Sequence, residues 1–436
     1  MLQTLFTIPR ELAGVPLAVW LFGVWGIVSV ISVWRLAAAQ GLSRALAESW
    51  TSLLMTGVAI WILPRLMGDA GLPIRGYGVM LLLAIVSGVG LSMWRAQRVG
   101  MDPEIILSLA MWVVVSGIIG ARLFYVIEYW HTYRRESPLD MIKAIVNVTQ
   151  GGLVVYGSLL AGGAATVVFI YKHKLPGFVL TDLIAPGVIL GMAVGRLGCF
   201  LNGCCYGGEC DLPWAMRFPY GSPPFVEQAS EGKQYLHGLR FKAAFDEAPI
   251  IESVEADSEA AKQGLKPGDE IVAINNLPVK SVGDANLHLL EIRGGVPVEI
   301  RIRGAREAKT WTSHIPLPRS NPIHPAQLYS AIDAFLLCLF LLAWDPYRKR
   351  EGELTALLLT LHPISRFLLE IIRVDESAVF GTTMSISQNI SLGILAGAIV
   401  CWIVVLSRSK GLWKGQLTIP GPGLGNRKGT VARALS

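Results

Sequence analysis

The stretch "GRLGCFLNGCCYGG", residues 195–208, sets one full charge and three thiols at the end of a long apolar run, 179–201. Within that run Gly187, Gly191 and Gly195 recur every four residues, and Gly198 follows one turn on. A helix with such a stripe has no side chains there to hold neighbours away, so other helices can approach closely. An ionisable residue in a membrane helix is costly and marks a functional site by default. Arg196 therefore has two readings. Either it points into a bundle interior near the membrane surface, or it snorkels to the headgroups from near the helix end.

The rest of the chain argues for a membrane setting. Of 436 residues, 52% are hydrophobic and 16% charged, whereas soluble domains carry roughly 25% charged residues. The formal net charge of +6 lacks the Lys/Arg blocks with interleaved aromatics that nucleic acid would require. Apolar runs of spanning length lie near 15–34, 77–94, 104–128, 152–171, 179–201, 327–345, 353–372 and 387–407. A ninth, 50–67, is shortened by Pro64 and Arg65. The first run reads as a retained helix and not a cleaved signal, because Arg35 interrupts the path to "LAAAQ". The expected fold is mainly α: a polytopic bundle of about seven core helices plus about two extra N-terminal ones.

With the C-terminus inside, short inner loops and tail hold fifteen Lys/Arg and the outer side seven, the long insert aside. This places 195–208 at the outer face and predicts a multi-pass membrane protein with its C-terminus inside. The predicted segments are 1–72 (extra N-terminal segments), 73–222 (first membrane part), 223–318 (outer insert), 319–410 (second membrane part) and 411–436 (basic tail).

Within the insert, about 248–315, the pattern changes to short β-branched runs and turn signals such as "KPGD", and "SEAAKQG" reads as a short helix closed by glycine. The string S-x-A-A-x-x-G-L-x-x-G-D-x-I-x-x-I-N, from Ser258 to Asn275, resembles the PDZ family. Such domains bind extended peptides as an added strand. The glycine-rich carboxylate-binding loop of that family is not evident near "HGLRFKAAF".

Three further stretches carry polar chemistry. Arg122, after the run 105–121, pairs either with Glu128 or with a lipid phosphate. Cys199, Cys204, Cys205 and Cys210 follow a C-x4-C-C-x4-C spacing, a poor match to the paired clamps of structural zinc. No metal is expected there, and a disulfide or plain packing thiols remain open. "NPIHPAQLYSAID", from Asn321, opens a helix with His324, Gln327 and Tyr329 at its mouth.

In order, "IRGYGVML", "GARLFYVIEYW", "GGLVVYGSLLAG", "DLIAPGVILGMAVGRLGCFLNGCCYG", "DLPWAMRFP", "HPAQLY", "RFLLEIIR" and "SISQNISL" resemble the bacterial prolipoprotein diacylglyceryl transferase family. The resemblance covers roughly 73–220 and 320–407. It implies transfer of a diacylglyceryl group from phosphatidylglycerol to the lipobox cysteine thiol of a prolipoprotein signal peptide, with no cofactor. By the same resemblance Arg196 holds the donor phosphate, Asn202 bonds headgroup or glycerol oxygens, and Tyr77 touches the donor lipid.

The reacting groups depart from the family. Tyr156 in "YGSL" stands where the often-proposed histidine base sits, leaving His324 as the candidate proton acceptor. Cys199 and Cys204 replace an asparagine and a glutamate. Ile323 replaces a second arginine, for which Arg217 or Arg319 is the candidate substitute. Two competing classes follow. One is a non-catalytic lipid-binding protein that recruits envelope proteins through the PDZ-like insert. The other is a thiol oxidoreductase using Cys204 and Cys205, for which no C-x-x-C is present.

Overall fold

The computed structural model describes residues 4–12, 14–42, 71–133, 137–147, 152, 154–242, 246–292, 294–313, 320–374, 381 and 383–413, with isolated positions between 49 and 61. Its long helices are α1 (Leu17–Gln40), α2 (Gly76–Arg98), α3 (Pro103–Glu128), an amphipathic α4 (Pro138–Val146), α5 (Val155–His173) and α6 (Gly177–Asn202). After the short α7 (Pro223–Ser230), α8 (Glu259–Lys262) and α9 (Val282–Glu291) come α10 (Ala326–Trp344), α11 (Glu353–Glu370) and α12 (Ile386–Ser407). The expected run at 50–67 lies largely outside the described residues. The chain divides into two compact units: Met1–Met80 with Gly198–Cys204 and Arg217–Asn321, and Leu81–Leu197 with Cys205–Met216 and Pro322–Ser436.

The second unit is helical. Seven described helices, α1 of the first unit among them, are long and apolar enough to cross a membrane. α11 is not one of the seven, because Glu353, His362, Arg366 and Glu370 interrupt its hydropathy. Glu353, Arg366 and Glu370 are paired, and Glu353 and Glu370 are buried, so α11 is a bundle helix despite its composition. The small-residue stripe of α6 does what its spacing implies. A Cβ built on Gly187 would lie 2.4 Å from the carbonyl oxygen of Gly88 on α2, so the two backbones touch directly.

One carboxylate ties the bundle together. Asp182, on the second turn of α6, is fully buried. It accepts from Gly352 N (2.7 Å), Thr355 N (2.8 Å) and Thr355 Oγ1 (2.7 Å), and so caps the N-terminus of α11 from another helix. Arg348 adds an ion pair at 3.1 Å. Gly352 has φ of 100°, and a Cβ there would meet Phe178 and Val405 at 2.6 Å, so only glycine fits this cap. Arg95 of α2 joins from the other side, donating to the carbonyls of Asp182 and Leu183 at 2.7 Å and pairing with Asp345 at 2.8 Å.

In the first unit, β1 (Thr4–Ile8) pairs antiparallel with β4 (Leu72–Arg75), and β2 (Glu11–Leu12) with β3 (Val15–Pro16). Within Arg217–Asn321, β5 (Leu239–Phe241) pairs with β6 (Ile251–Val254). A four-stranded antiparallel sheet has the order β10 (Lys309–Thr312), β9 (Pro297–Ile302), β7 (Ile271–Ile274), β8 (Leu277–Pro278). Its core joins Ile251, Ile271, Val298, Ile300 and Leu289 with Phe225, Leu236, Leu239 and Phe241. The folded insert is therefore wider than the strand-rich stretch 248–315, and it begins by Phe225. Phe218 and Ser320 exchange hydrogen bonds at 2.8 Å (Phe218 N to Ser320 Oγ, Ser320 N to Phe218 O) and form its neck.

Two outcomes follow. Asp182→Ala leaves the Gly352 and Thr355 N–H groups without their acceptor and removes one of the three carboxylates around Arg348, with an expected cost of about 2–6 kcal/mol at about 1–3 for each stranded N–H. It should lower the unfolding temperature of the detergent-purified protein sharply, and an unchanged melting profile would refute the cap's importance. Excision of 222–318 at the neck, closed by a short flexible linker, should preserve membrane expression. Excision of 248–315 leaves Phe225, Leu239 and Phe241 without their partners and should yield aggregated protein on size-exclusion chromatography.

Candidate active site

In the second unit the sequence-predicted residues fall into three places. Arg122, near the end of α3, is buried and spends its guanidinium on backbone carbonyls: Nε on Ile145 (2.7 Å), Nη1 on Gly152 (3.0 Å), Nη2 on Ala144 (2.9 Å) and Asn147 (2.7 Å). These are orphan carbonyls at and beyond the C-terminus of α4, where a cation is favoured. Tyr125 and Tyr133 flank the guanidinium at 5.6 and 5.5 Å. Four of five donors are thus committed to one loop, a structural use that neither Glu128 nor a phosphate explains. Tyr156 begins α5 just beyond this loop, and Ser158 of the same turn donates to the Gly117 carbonyl at 2.9 Å.

The second place lies at the start of α10. His324 Nδ1 and Tyr329 Oη are 3.4 Å apart, and Trp214 Nε1 donates to Tyr329 Oη at 2.7 Å. Gln327 beside them is fully buried. The loop 205–216 laces this helix mouth to the end of α11: Gly207 N bonds His324 O at 3.0 Å, and Gly208 N bonds Ile372 O at 2.9 Å. A Cβ on Gly207 would meet the His324 Cβ at 2.6 Å, so the loop approaches His324 as closely as its backbone allows.

The third place surrounds Arg196, which is half-buried. Among the described residues its side chain has no hydrogen-bond or ion-pair partner. Its charge acts on His362 of α11, together with those of Asp333 on α10 and Arg366 on α11. Arg366 pairs with Glu370 and donates to Ser387 Oγ at 2.8 Å, and Glu370 also takes Arg373 at 3.1 Å. Ser365 Oγ donates to Asp333 at 2.7 Å, tying α10 to α11. The sequence reading singled out neither His362 nor Arg366, although its signal was present. His362, Arg366 and Glu370 recur at four-residue spacing, one polar stripe on a helix in an apolar run.

The remaining predicted residues belong to the first unit. Tyr77 lies against Gly198, where a Cβ would be 3.3 Å from its ring. Asn202 is the last residue of α6, and Arg217 is exposed. Arg319 lies outside the described residues. Among the described residues no disulfide joins the cysteines of the cluster.

The family model described as Prolipoprotein diacylglyceryl transferase matches residues 64–404. A phosphatidylglycerol–prolipoprotein diacylglyceryl transferase of Rhodopirellula baltica is 31% identical over 443 residues, covering 92% of this chain and 88% of that protein. Proteins of the same name from Synechococcus elongatus and Trichormus variabilis are 36% and 33% identical over 174 and 161 residues. Those matches cover 40% and 37% of this chain, and 57% and 55% of the relatives' own lengths. A multi-pass helical bundle matched by that family model over most of its length, and by a full-length relative, this chain belongs to the prolipoprotein diacylglyceryl transferases.

Proposed function

We propose that the protein transfers a diacylglyceryl group from phosphatidylglycerol to the cysteine thiol of a prolipoprotein, forming a thioether and releasing glycerol phosphate. The observation that carries this reading is Arg196: a cation on a membrane helix, inside a polar cluster, with no anion or acceptor bonded to it among the described residues. A buried or half-buried charge left unpaired is costly, and an anionic ligand repays that cost. The phosphodiester of a lipid headgroup is the anion available at this depth.

The reaction needs little beyond placement and charge. As sulfur attacks the glycerol carbon, the carbon–oxygen bond to phosphate breaks, and negative charge grows on the departing phosphate. A fixed guanidinium stabilises that charge and presents a bidentate fork to its oxygens. Arg366, held by Glu370 and Ser387, is the second cation of the cluster. Tyr77, Asn202, Gln327, Tyr329 and Arg217 are assigned to substrate contact by resemblance, with His324 and Tyr156 beside the reacting groups. Arg122 is assigned instead to holding the 144–152 loop ahead of Tyr156.

The insert is read as PDZ-like, supported by its antiparallel strands and by α9 packed along β7. A cavity of about 340 Å³ lies there, lined by Ile274, Asn275, Leu277, His288 and Glu291. Its partner would be an extended peptide of an envelope protein. His237 and Tyr220 both reach the Leu289 carbonyl, at 2.9 and 3.0 Å. Burial pushes the Tyr220 phenol up to about 12, so it stays a neutral donor in that contact. The excess of inner basic residues supports a cytoplasmic C-terminus and a periplasmic insert in the bacterial inner membrane.

Arg196→Ala should abolish lipid transfer to a lipobox peptide in phosphatidylglycerol vesicles while leaving membrane expression intact. Arg196→Lys should recover only part of the rate, because an ammonium is a point charge without the fork. Transfer by Arg196→Ala at the wild-type rate would remove Arg196 from the site.

A further inference from the structure

The proposed reaction must take a proton from the acceptor thiol, and the groups assigned so far are poor at this. Tyr156 offers a phenol, a side-chain type whose reference pKa of about 10 makes it a weak base at neutral pH. His324 is engaged with Tyr329 and, through it, with Trp214. His362 is placed differently. It lies one helical turn before Arg366 on α11, and Arg196, Asp333 and Arg366 are the charges that act on it. Its Nδ1 is buried and bonds nothing among the described residues. α12, which packs against α11, carries no charged residue. Asp333 is therefore the carboxylate that offsets two arginines around this imidazole, and Ser365 holds it by the 2.7 Å hydrogen bond.

We propose that His362 is the general base of the transfer and Asp333 the residue that stabilises its protonated form. The inference rests on the function proposed above. The acceptor S–H gives its proton to the imidazole, the sulfur forms a bond to the glycerol carbon, and the carbon–oxygen bond to phosphate breaks with its electron pair leaving on oxygen. The imidazolium then returns the proton to the departing glycerol phosphate or to water, so no further reactant is required. The assignment requires that a sulfur brought to the donor held by Arg196 come within reach of this ring.

The test uses the full chain in phosphatidylglycerol vesicles with lipobox peptides carrying either cysteine or selenocysteine. His362→Gln should lower transfer to the cysteine peptide by about 100-fold or more at neutral pH. The deficit should shrink as pH rises past the thiol pKa of about 8.5, since a preformed thiolate needs no base. The selenocysteine peptide, already ionised at neutral pH, should be transferred by His362→Gln at close to the wild-type rate. Asp333→Asn should show the same two signatures in weaker form. Equal rates for His362→Gln and wild type on the cysteine peptide would overturn the proposal. So would a deficit that neither pH nor the selenol relieves, because that is the mark of a purely structural role or a misfolded variant. Absence of transfer by the wild-type protein would instead refute the proposed function itself, and this assignment with it.

Discussion

The bundle depends on a carboxylate that a hydrocarbon environment should exclude. Asp182 survives burial because three donors and one guanidinium surround it, each within 3.1 Å. Three of those donors belong to the first turn of α11, so the contact sets the register between α6 and α11. From Asp182 to Arg196 is fourteen residues, or about 21 Å of helix. From Thr355 to Arg366 is eleven, or about 16 Å in the same direction. Fixing the two helices at one membrane face thus brings Arg196 to within about 5 Å of the level of Arg366, with His362 one turn of α11 nearer the middle. The structural charge cluster and the functional one are two ends of one pair of helices.

The membrane spans were legible because the apolar runs are long and periodicity hardly matters to them. Eight of the nine predicted runs coincide with described helices to within a few residues. Partners were not legible. Asp182 and Thr355 are separated by 173 positions, and nothing local in "TDL" or "GELT" announces that one caps the other. The β1–β4 pair fails for the same reason, since "TLFTI" is a plausible strand whose partner lies more than sixty residues away. The insert, 223–318, was found by its turn chemistry, and its strand-rich part was read over 248–315, whereas the core also takes in Phe225, Leu239 and Phe241. "PPFVEQAS" is helical and "LRF" is only three residues long, so neither shows the β-rich signature that marks the rest.

At the site, the same signal gave two different outcomes. Arg122 and Arg196 are both arginines near the ends of apolar runs, and both were flagged for that reason. What separates them is the neighbour. Arg122 faces the C-terminus of a short helix, whose carbonyls supply the negative end of a dipole and satisfy four donors. Arg196 faces an imidazole and another arginine, which satisfy none. Sequence alone cannot distinguish a cation that the chain has already neutralised from one left for a ligand. His362 was missed for the complementary reason: a histidine in an apolar run reads as an ordinary core residue until its charged neighbours on other helices are placed.

Electrostatic balance connects these observations to turnover. Among the described residues, Arg196, Arg366 and Arg373 stand with Glu370 and Asp333 in this cluster. A phosphodiester headgroup carries one negative charge, so the proposed donor lipid would offset one of these arginines on binding. The proposed product, a phosphate monoester, carries about −1.5 to −2 near neutral pH, and it has lost the acyl chains that anchored it in the bilayer. Charge attraction to the arginines therefore rises during the reaction while hydrophobic anchoring disappears. The first change favours the transition state, in which phosphate charge is growing. The second lets the product leave toward water, and the balance between them sets how tightly two arginines can hold phosphate without trapping it.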